Sequence, residues 1–317
     1  MKTTLVMLMS LMLIGMVPMS AAPVPAVTHN TWTTGTPMPT AATQAAAAAL
    51  KGQIYVVGGA AGTEALANTQ IYNPVANSWS TGVPLPVATD AGVAAVVKNV
   101  LYFIGGATNS GSATNAVYAF SPKTKVWTTK APMPTARFLS TAVVEKNIIY
   151  VIGGAADEND FLAPIERYNP ATDTWTEEAP MLGNKVGPAV GLLGTTIVAA
   201  DGAFTPGFVT GDAEGYNTGT NSWSELAADP TARTSSCAGA IGPNLYDAGG
   251  YLGNGGAAAT VNEAFKLLKN KWTKTLAPMP QGTMFGGSAV YKGQLYCFGG
   301  WATWGGGSIN NVQSYHP

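Results

Sequence analysis

Apolar and polar positions alternate in short runs along this chain, and the runs recur. A stretch of small residues, Ala45–Leu50, leads into Gln53-Ile54-Tyr55-Val56-Val57, which stops at Gly58-Gly59. A further segment runs into Ile71-Tyr72, Asn73-Pro74 turns the chain, and Asn77-Ser78-Trp79-Ser80 begins the next run. Alternation with a period of two, broken by turn residues every ~8–12 positions, predicts four short antiparallel strands in a meander.

Three markers repeat this unit. Trp stands at 32, 79, 127, 175, 223 and 272. A Gly pair closes an apolar run at Gly58-Gly59, Gly105-Gly106, Gly153-Gly154, Gly249-Gly250 and Gly299-Gly300, and the fourth copy reads Asp201-Gly202. An aromatic recurs at Tyr72, Phe120, Tyr168, Tyr216, Phe265 and Tyr315. All three keep a spacing of about 48 residues, which identifies six copies of one supersecondary unit.

A lone four-stranded meander cannot bury both its faces, so the units must stack on one another. Their first strands are built from small residues, as in Gly92-Val93-Ala94-Ala95 and Gly286-Gly287-Ser288. Six inner strands crowding round an axis require that taper. The expected fold is therefore all-β: a six-bladed propeller over residues 27–317, with units near 41–82, 88–130, 136–178, 184–226, 232–275 and 281–317. The last unit ends at Tyr315-His316-Pro317 without a Trp, whereas Trp32 is spare at the other terminus. Residues 27–36 are thus expected to supply the outermost strand of the sixth blade, a 3+1 closure. Each Trp is large enough to fill the gap between neighbouring blades.

Ahead of the first unit, Met1-Lys2 is followed by an apolar run from Leu5 to Val17 and by Pro18, Ser20, Ala21 and Ala22. The run is shorter than the roughly 20 residues that span a bilayer, and small residues follow it, so 1–26 reads as a signal peptide cleaved near 22–26. The mature protein is expected to be secreted, periplasmic or extracellular, with no membrane span.

Charge narrows the chemistry. Sixteen Lys+Arg balance seventeen Asp+Glu for a net charge of -1, too little positive charge for a nucleic-acid partner. With two His and two Cys there are too few ligands for most Zn or Cu sites, and no metal or other cofactor is expected. Cys237 and Cys297 fall in neighbouring blades. Two buried free thiols are the simpler expectation, since a disulfide needs Cα atoms within about 7 Å.

Candidate ligand-binding residues gather at one end of the ring. The position that opens the first strand reads Ala42, Thr89, Arg137, Lys185, Arg233 and Gly282, placing three cations in adjacent blades. They are read either as an anion site beside the channel mouth or as braces for the loops. The loops after the Gly pairs carry Phe161, Phe204, Phe208, Tyr251, Trp301 and Trp304, flat surface suited to sugars or peptides or to capping the blade ends. Asp247 occupies a slot that is Val56, Phe103, Val151, Ala199 and Cys297 elsewhere. A carboxylate there needs a cation, for which Arg233 is a partner in the same blade, or a proton, which would suit a general acid. Asp201 replaces a turn glycine and is the second catalytic candidate. The acidic run Asp157-Glu158-Asn159-Asp160 reads as a solvated turn.

The Gly pair, the Tyr-Asn-Pro turn and the Trp a few residues later resemble the kelch family of β-propellers over nearly the whole mature chain. The resemblance implies ligand binding at the loop-rich end of the ring. Copper radical oxidases share the architecture but need a Tyr–Cys cross-link and two axial His, whereas His29 and His316 stand at the termini. The segment Asp201–Thr210 looks like the active-site stretch of the sialic acid mutarotases (N-acetylneuraminate epimerases), with Ala203 and Val209 where that family carries its Glu and Arg. The expected function is an exported module that binds a carbohydrate, such as an acidic sugar, or a protein. The alternative is a mutarotase with substitute catalytic residues.

Overall fold

A computed structural model describes residues 29–317; the segment read as a signal peptide lies outside the described residues. Six four-stranded antiparallel sheets stand round one axis. Blade 1 comprises Ala46–Leu50, Gln53–Val57, Thr69–Asn73 and Ser78–Thr81, from the axis outwards. Blades 2 to 5 repeat the order, from Val93–Val97 in blade 2 to Lys271–Thr273 in blade 5. Blade 6 takes Gly287–Tyr291, Gln294–Phe298 and Val312–His316 from the C-terminus and Thr31–Thr34 from the N-terminus. Trp32 lies opposite Tyr315 in that pairing, so the ring closes 3+1. One 3-10 turn, Leu267–Lys269, is the helical structure among the described residues, and no helix there is long and apolar enough to cross a membrane.

Burial follows position. The inner strands of blades 1 and 2 alternate buried and half-buried residues, while second strands such as Gln53–Val57 are buried at four successive residues between neighbouring blades. Inner strands must be lean because they nearly touch. A Cβ on Gly239 would come within 2.5 Å of the Val290 side chain in the next blade. Each outer-strand Trp spans a seam: its indole N–H donates to the backbone carbonyl of Thr36, Val83, Ala131, Ala179, Ala227 or Ala277 in the loop approaching its blade, at 2.8–3.1 Å.

Two further rings of main-chain hydrogen bonds run from blade to blade. In the inner ring, Gln44, Ala91, Leu139, Gly187, Ser235 and Phe285 each donate N–H to the carbonyl of the preceding member, at 2.5–2.9 Å, until the circle closes. All six hold a positive φ, from 50° to 61°, which turns each N–H towards its neighbour. In the outer ring the second Gly of each pair donates to the residue that opens the next blade, for example Gly106 to Arg137 and Gly250 to Thr283, both at 2.8 Å. A side chain is excluded there, since a Cβ on Gly106 would lie 2.3 Å from the Asp90 carbonyl oxygen. This ring also corrects one position. The residue opening blade 6 is Thr283 and not Gly282, because the longer loop ahead of it shifts the register by one.

Cys237 and Cys297 form a disulfide, with Cα atoms 5.8 Å apart, which corrects the expectation of free thiols. The inner strand of blade 5 leans on the second strand of blade 6 and brings the two sulfurs together across the seam. The cross-link ties the blade closed by the N-terminal strand to its neighbour.

Candidate functional site

The axial channel opens at the inner hydrogen-bonded ring. A cavity of about 370 Å3 follows the axis, lined by inner-strand Ala, Gly, Val and Ser and, at the ring, by Gln44, Leu139, Ser235 and Phe285. No charged side chain is among its lining residues. It offers hydroxyls, a carboxamide and apolar surface, and no group that would exchange a proton at neutral pH.

Beside this mouth the loops of blades 4, 5 and 6 assemble an aromatic face. Tyr251 and Trp304 stack with ring centres 4.4 Å apart. Phe285 contacts both Trp301, at 5.5 Å, and Trp304, at 6.0 Å, and the two Trp meet edge to face. Trp304 is 49% exposed. Phe204 and Phe208 project from a two-stranded hairpin, Ala203–Thr205 with Phe208–Val209, at 47% and 62% exposure, while Val209 packs into the Tyr251 cluster. The loops hold each other: Ala258 N–H donates to the Ala302 carbonyl and Trp304 N–H to that of Gly256. Sequence reasoning found five of these aromatics and missed Phe285. Its signal was a large side chain at a ring position occupied elsewhere by Gln, Ala, Leu, Gly and Ser. Phe161 stands apart, in the blade 3 loop, bridged to Ala155.

The three cations do not join that face. Arg137 and Arg233 are fully buried and Lys185 nearly so. Each turns to the third strand of its own blade. Arg137 Nη2 is 2.9 Å from Glu166, while its Nη1 donates to the carbonyls of Gly153 and Pro164. Lys185 Nζ donates to the Asp212 carbonyl and lies 3.6 Å from Glu214. Arg233 Nη2 is 2.7 Å from Glu263. The equivalent residues in blades 1 and 6, Gln70 and Gln313, do the same work without charge, each accepting an N–H from and donating to the approaching loop at Thr40 and Gln281. These residues pin the approach loops from inside, and the anion-site reading finds no exposed cation at these three positions.

Blade 5 departs from this one-to-one pairing. Asp229 and Asp247 also contact Arg233, at 2.8 and 3.0 Å, and Asp201 lies 3.8 Å away across the seam from blade 4. The pairing of Asp247 with Arg233 is as the sequence suggested, and Asp247 lies directly opposite Glu263 in the strand register. Burial pushes Asp229 up to about 7 despite the neighbouring guanidinium. Burial, and then the charge of Asp247, raise Asp201 well above the usual carboxylate range. Burial works against the charge of Arg233, but the surrounding carboxylates outweigh it and raise its pKa. Asp201, Asp229 and Asp247 bring one oxygen each within 4.8 Å of the others, and the cation among them is Arg233. Neither Asp201 nor Asp247 is among the residues lining the cavity, and both are fully buried. Asp201 holds φ at 61°, the left-handed turn that glycine fills in the other copies. The loop at Asp157 is a turn closed by its own side chain, which accepts the N–H groups of Asn159 and Asp160.

Comparison with known proteins agrees with this architecture. A family model described as the KLHDC2/KLHL20/DRC7 Kelch-repeats domain matches residues 81–250, more than half the chain. The chain belongs to the kelch-repeat family. A single Kelch motif matches residues 41–86, overlapping the start of that match. No curated protein matches this kelch chain. Among solved structures, that of YjhT superposes with a TM-score of 0.76 at 20% identity, covering 87% of this chain and 95% of the other. At that identity the likeness is one of fold, and it agrees with the six-bladed architecture described above.

Proposed function

We propose that this kelch propeller is an exported, non-catalytic binding module whose loop face over blades 4 to 6 takes a neutral carbohydrate. One observation carries the reading: an ordered, half-exposed aromatic face that is continuous, through Phe285, with an uncharged polar-and-apolar cavity. Sugar rings present C–H faces to stack on flat aromatics and hydroxyls to meet Ser, Gln and main-chain groups. With Arg137, Lys185 and Arg233 buried in ion pairs, an acidic sugar has none of these cations to meet, so the neutral class is favoured. The disulfide supports export, because such bonds persist in oxidising compartments. Ala203 and Val209 remain where a mutarotase would need Glu and Arg, and no observation favours catalysis by the buried Asp201 or Asp247.

A glycan array probed with the mature protein tests the reading. Neutral oligosaccharides should be retained, and Trp304→Ala or Phe208→Ala should weaken retention ~5-fold or more, as loss of a stacking anchor worth about 1–3 kcal/mol implies. Retention of acidic glycans alone would sink the neutral assignment. Faster anomer equilibration of freshly dissolved sialic acid would make the protein a mutarotase, and a protein partner lost with the same two variants would reassign the face.

A further inference from the structure

In blades 3 and 4 one cation meets one third-strand acid, which is enough to pin a loop. Blade 5 surrounds its single Arg233 with four carboxylates: Asp201, Asp229, Asp247 and Glu263. All are buried, and they come from four pieces of chain: the end of the second strand of blade 4, the loop from blade 4, and the second and the third strand of blade 5. The nearest other charges are spoken for. Lys185 is held by the Asp212 carbonyl and Glu214, and Asp212 keeps its own side chain exposed. Fully ionised, the cluster would carry three uncompensated negative charges out of water, which no folded protein tolerates. The hydrogen bonds mark where the deficit lies. Both oxygens of Asp201 and Oδ1 of Asp247 have no donor, although Asp201 is completely buried and aimed at the cluster. Two carboxylates this close need a proton between them.

We propose that the seam between blades 4 and 5 is a proton-binding lock in which Asp201 retains its proton at neutral pH and donates it to Asp247. The favoured cation is already there as Arg233, so a proton and not a metal ion completes the cluster. The lock lies under the aromatic face: Gly202 and Gly250, which begin the loops carrying Phe204, Phe208 and Tyr251, hydrogen-bond to the backbone of Arg233 and Thr283. Opening the seam would therefore shift the binding loops, a consequence that rests on the binding role proposed above.

The sign follows from linkage. A carboxyl whose pKa is raised on folding contributes stability that is complete below about pH 4 and is lost as pH rises through its folded value. Asp229 places part of that loss below about 7, and the raised Asp201 adds to it in the same direction.

The test measures thermal midpoints from pH 5 to 9 for the mature protein and for Asp201→Asn, which imitates the protonated side chain. The variant-minus-wild-type difference should grow with pH by roughly 5 °C or more, because only the wild type gives up a proton on unfolding. In infrared spectra at pH 8 the wild type should show a protonated-carboxyl band that Asp201→Asn removes, a readout that does not depend on relative stability. Parallel midpoint curves, or no such band, would overturn the proposal. So would a wild-type midpoint raised at pH 8 by added Ca2+ or Mg2+ and unresponsive in the variant, which would assign the site to a metal. If the curves diverge as predicted while no glycan binds, the lock stands and the binding role alone fails.

Discussion

Arg137, Lys185 and Arg233 repeat at one position, and so do their partners Glu166, Glu214 and Glu263. The partner column was the unread signal: an acid three times, and Gln in blades 1 and 6, two residues before each conserved-spacing aromatic. Sequence spacing put the cations at one level, yet it could not say whether they point to the channel or into the blade. That depends on how the approach loop rolls before its strand, which the hydrogen bond from the preceding Gly pair fixes. The aromatics were legible because they break the repeat in glycine-rich loops. Arg137→Ala should destabilise by about 3–5 kcal/mol, since it strands a buried Glu166 carboxylate. Adding Glu166→Gln should restore ~2 kcal/mol, because Gln serves this position in two other blades. Denaturant unfolding of the single and double variants checks this, and additive losses would refute the pairing.

At the scale of elements, spacing predicted four strands per unit and the exchange of one strand between the ends, and both are present. It failed by one residue at the start of blade 6, where a lengthened loop moved Thr283 into the role expected of Gly282. The N-terminal strand Thr31–Thr34 binds the sixth blade through its ladder and through side chains. Trp32 donates to the Ala277 carbonyl, while Asn30 accepts from the Tyr315 hydroxyl and from Ala277 N–H. Deleting residues 29–34 leaves Val312–His316 as a bare edge with unpaired main-chain groups. The truncated chain should self-associate in light scattering and unfold at least several degrees lower. A monodisperse monomer of unchanged stability would show that the strand is dispensable.

The whole molecule is a ring fastened in three ways: by Trp indoles at every seam, by two circles of main-chain hydrogen bonds, and by one disulfide between blades 5 and 6. With its cysteines 60 positions apart in sequence, that bond removes about 4 kcal/mol of unfolded-chain freedom in the loop-entropy picture. Periodicity cannot report it, since each Cys occurs once and the contact belongs to no repeat. The same regularity that stiffens the ring makes its asymmetry informative. The clustered aromatic face, the disulfide and the carboxylate cluster all fall within blades 4 to 6, leaving blades 1 to 3 as scaffold. Of the eight Trp, six are locked to seam carbonyls and two, Trp301 and Trp304, belong to the loop face. Indole N–H resonances of the 15N-labelled protein, followed while neutral oligosaccharides are added, therefore separate binding face from scaffold in one spectrum. The account predicts that the Trp301 and Trp304 signals shift and saturate while the six seam indoles stay in place. Saturable shifts confined to seam indoles, or no shift with any neutral or acidic glycan, would contradict it.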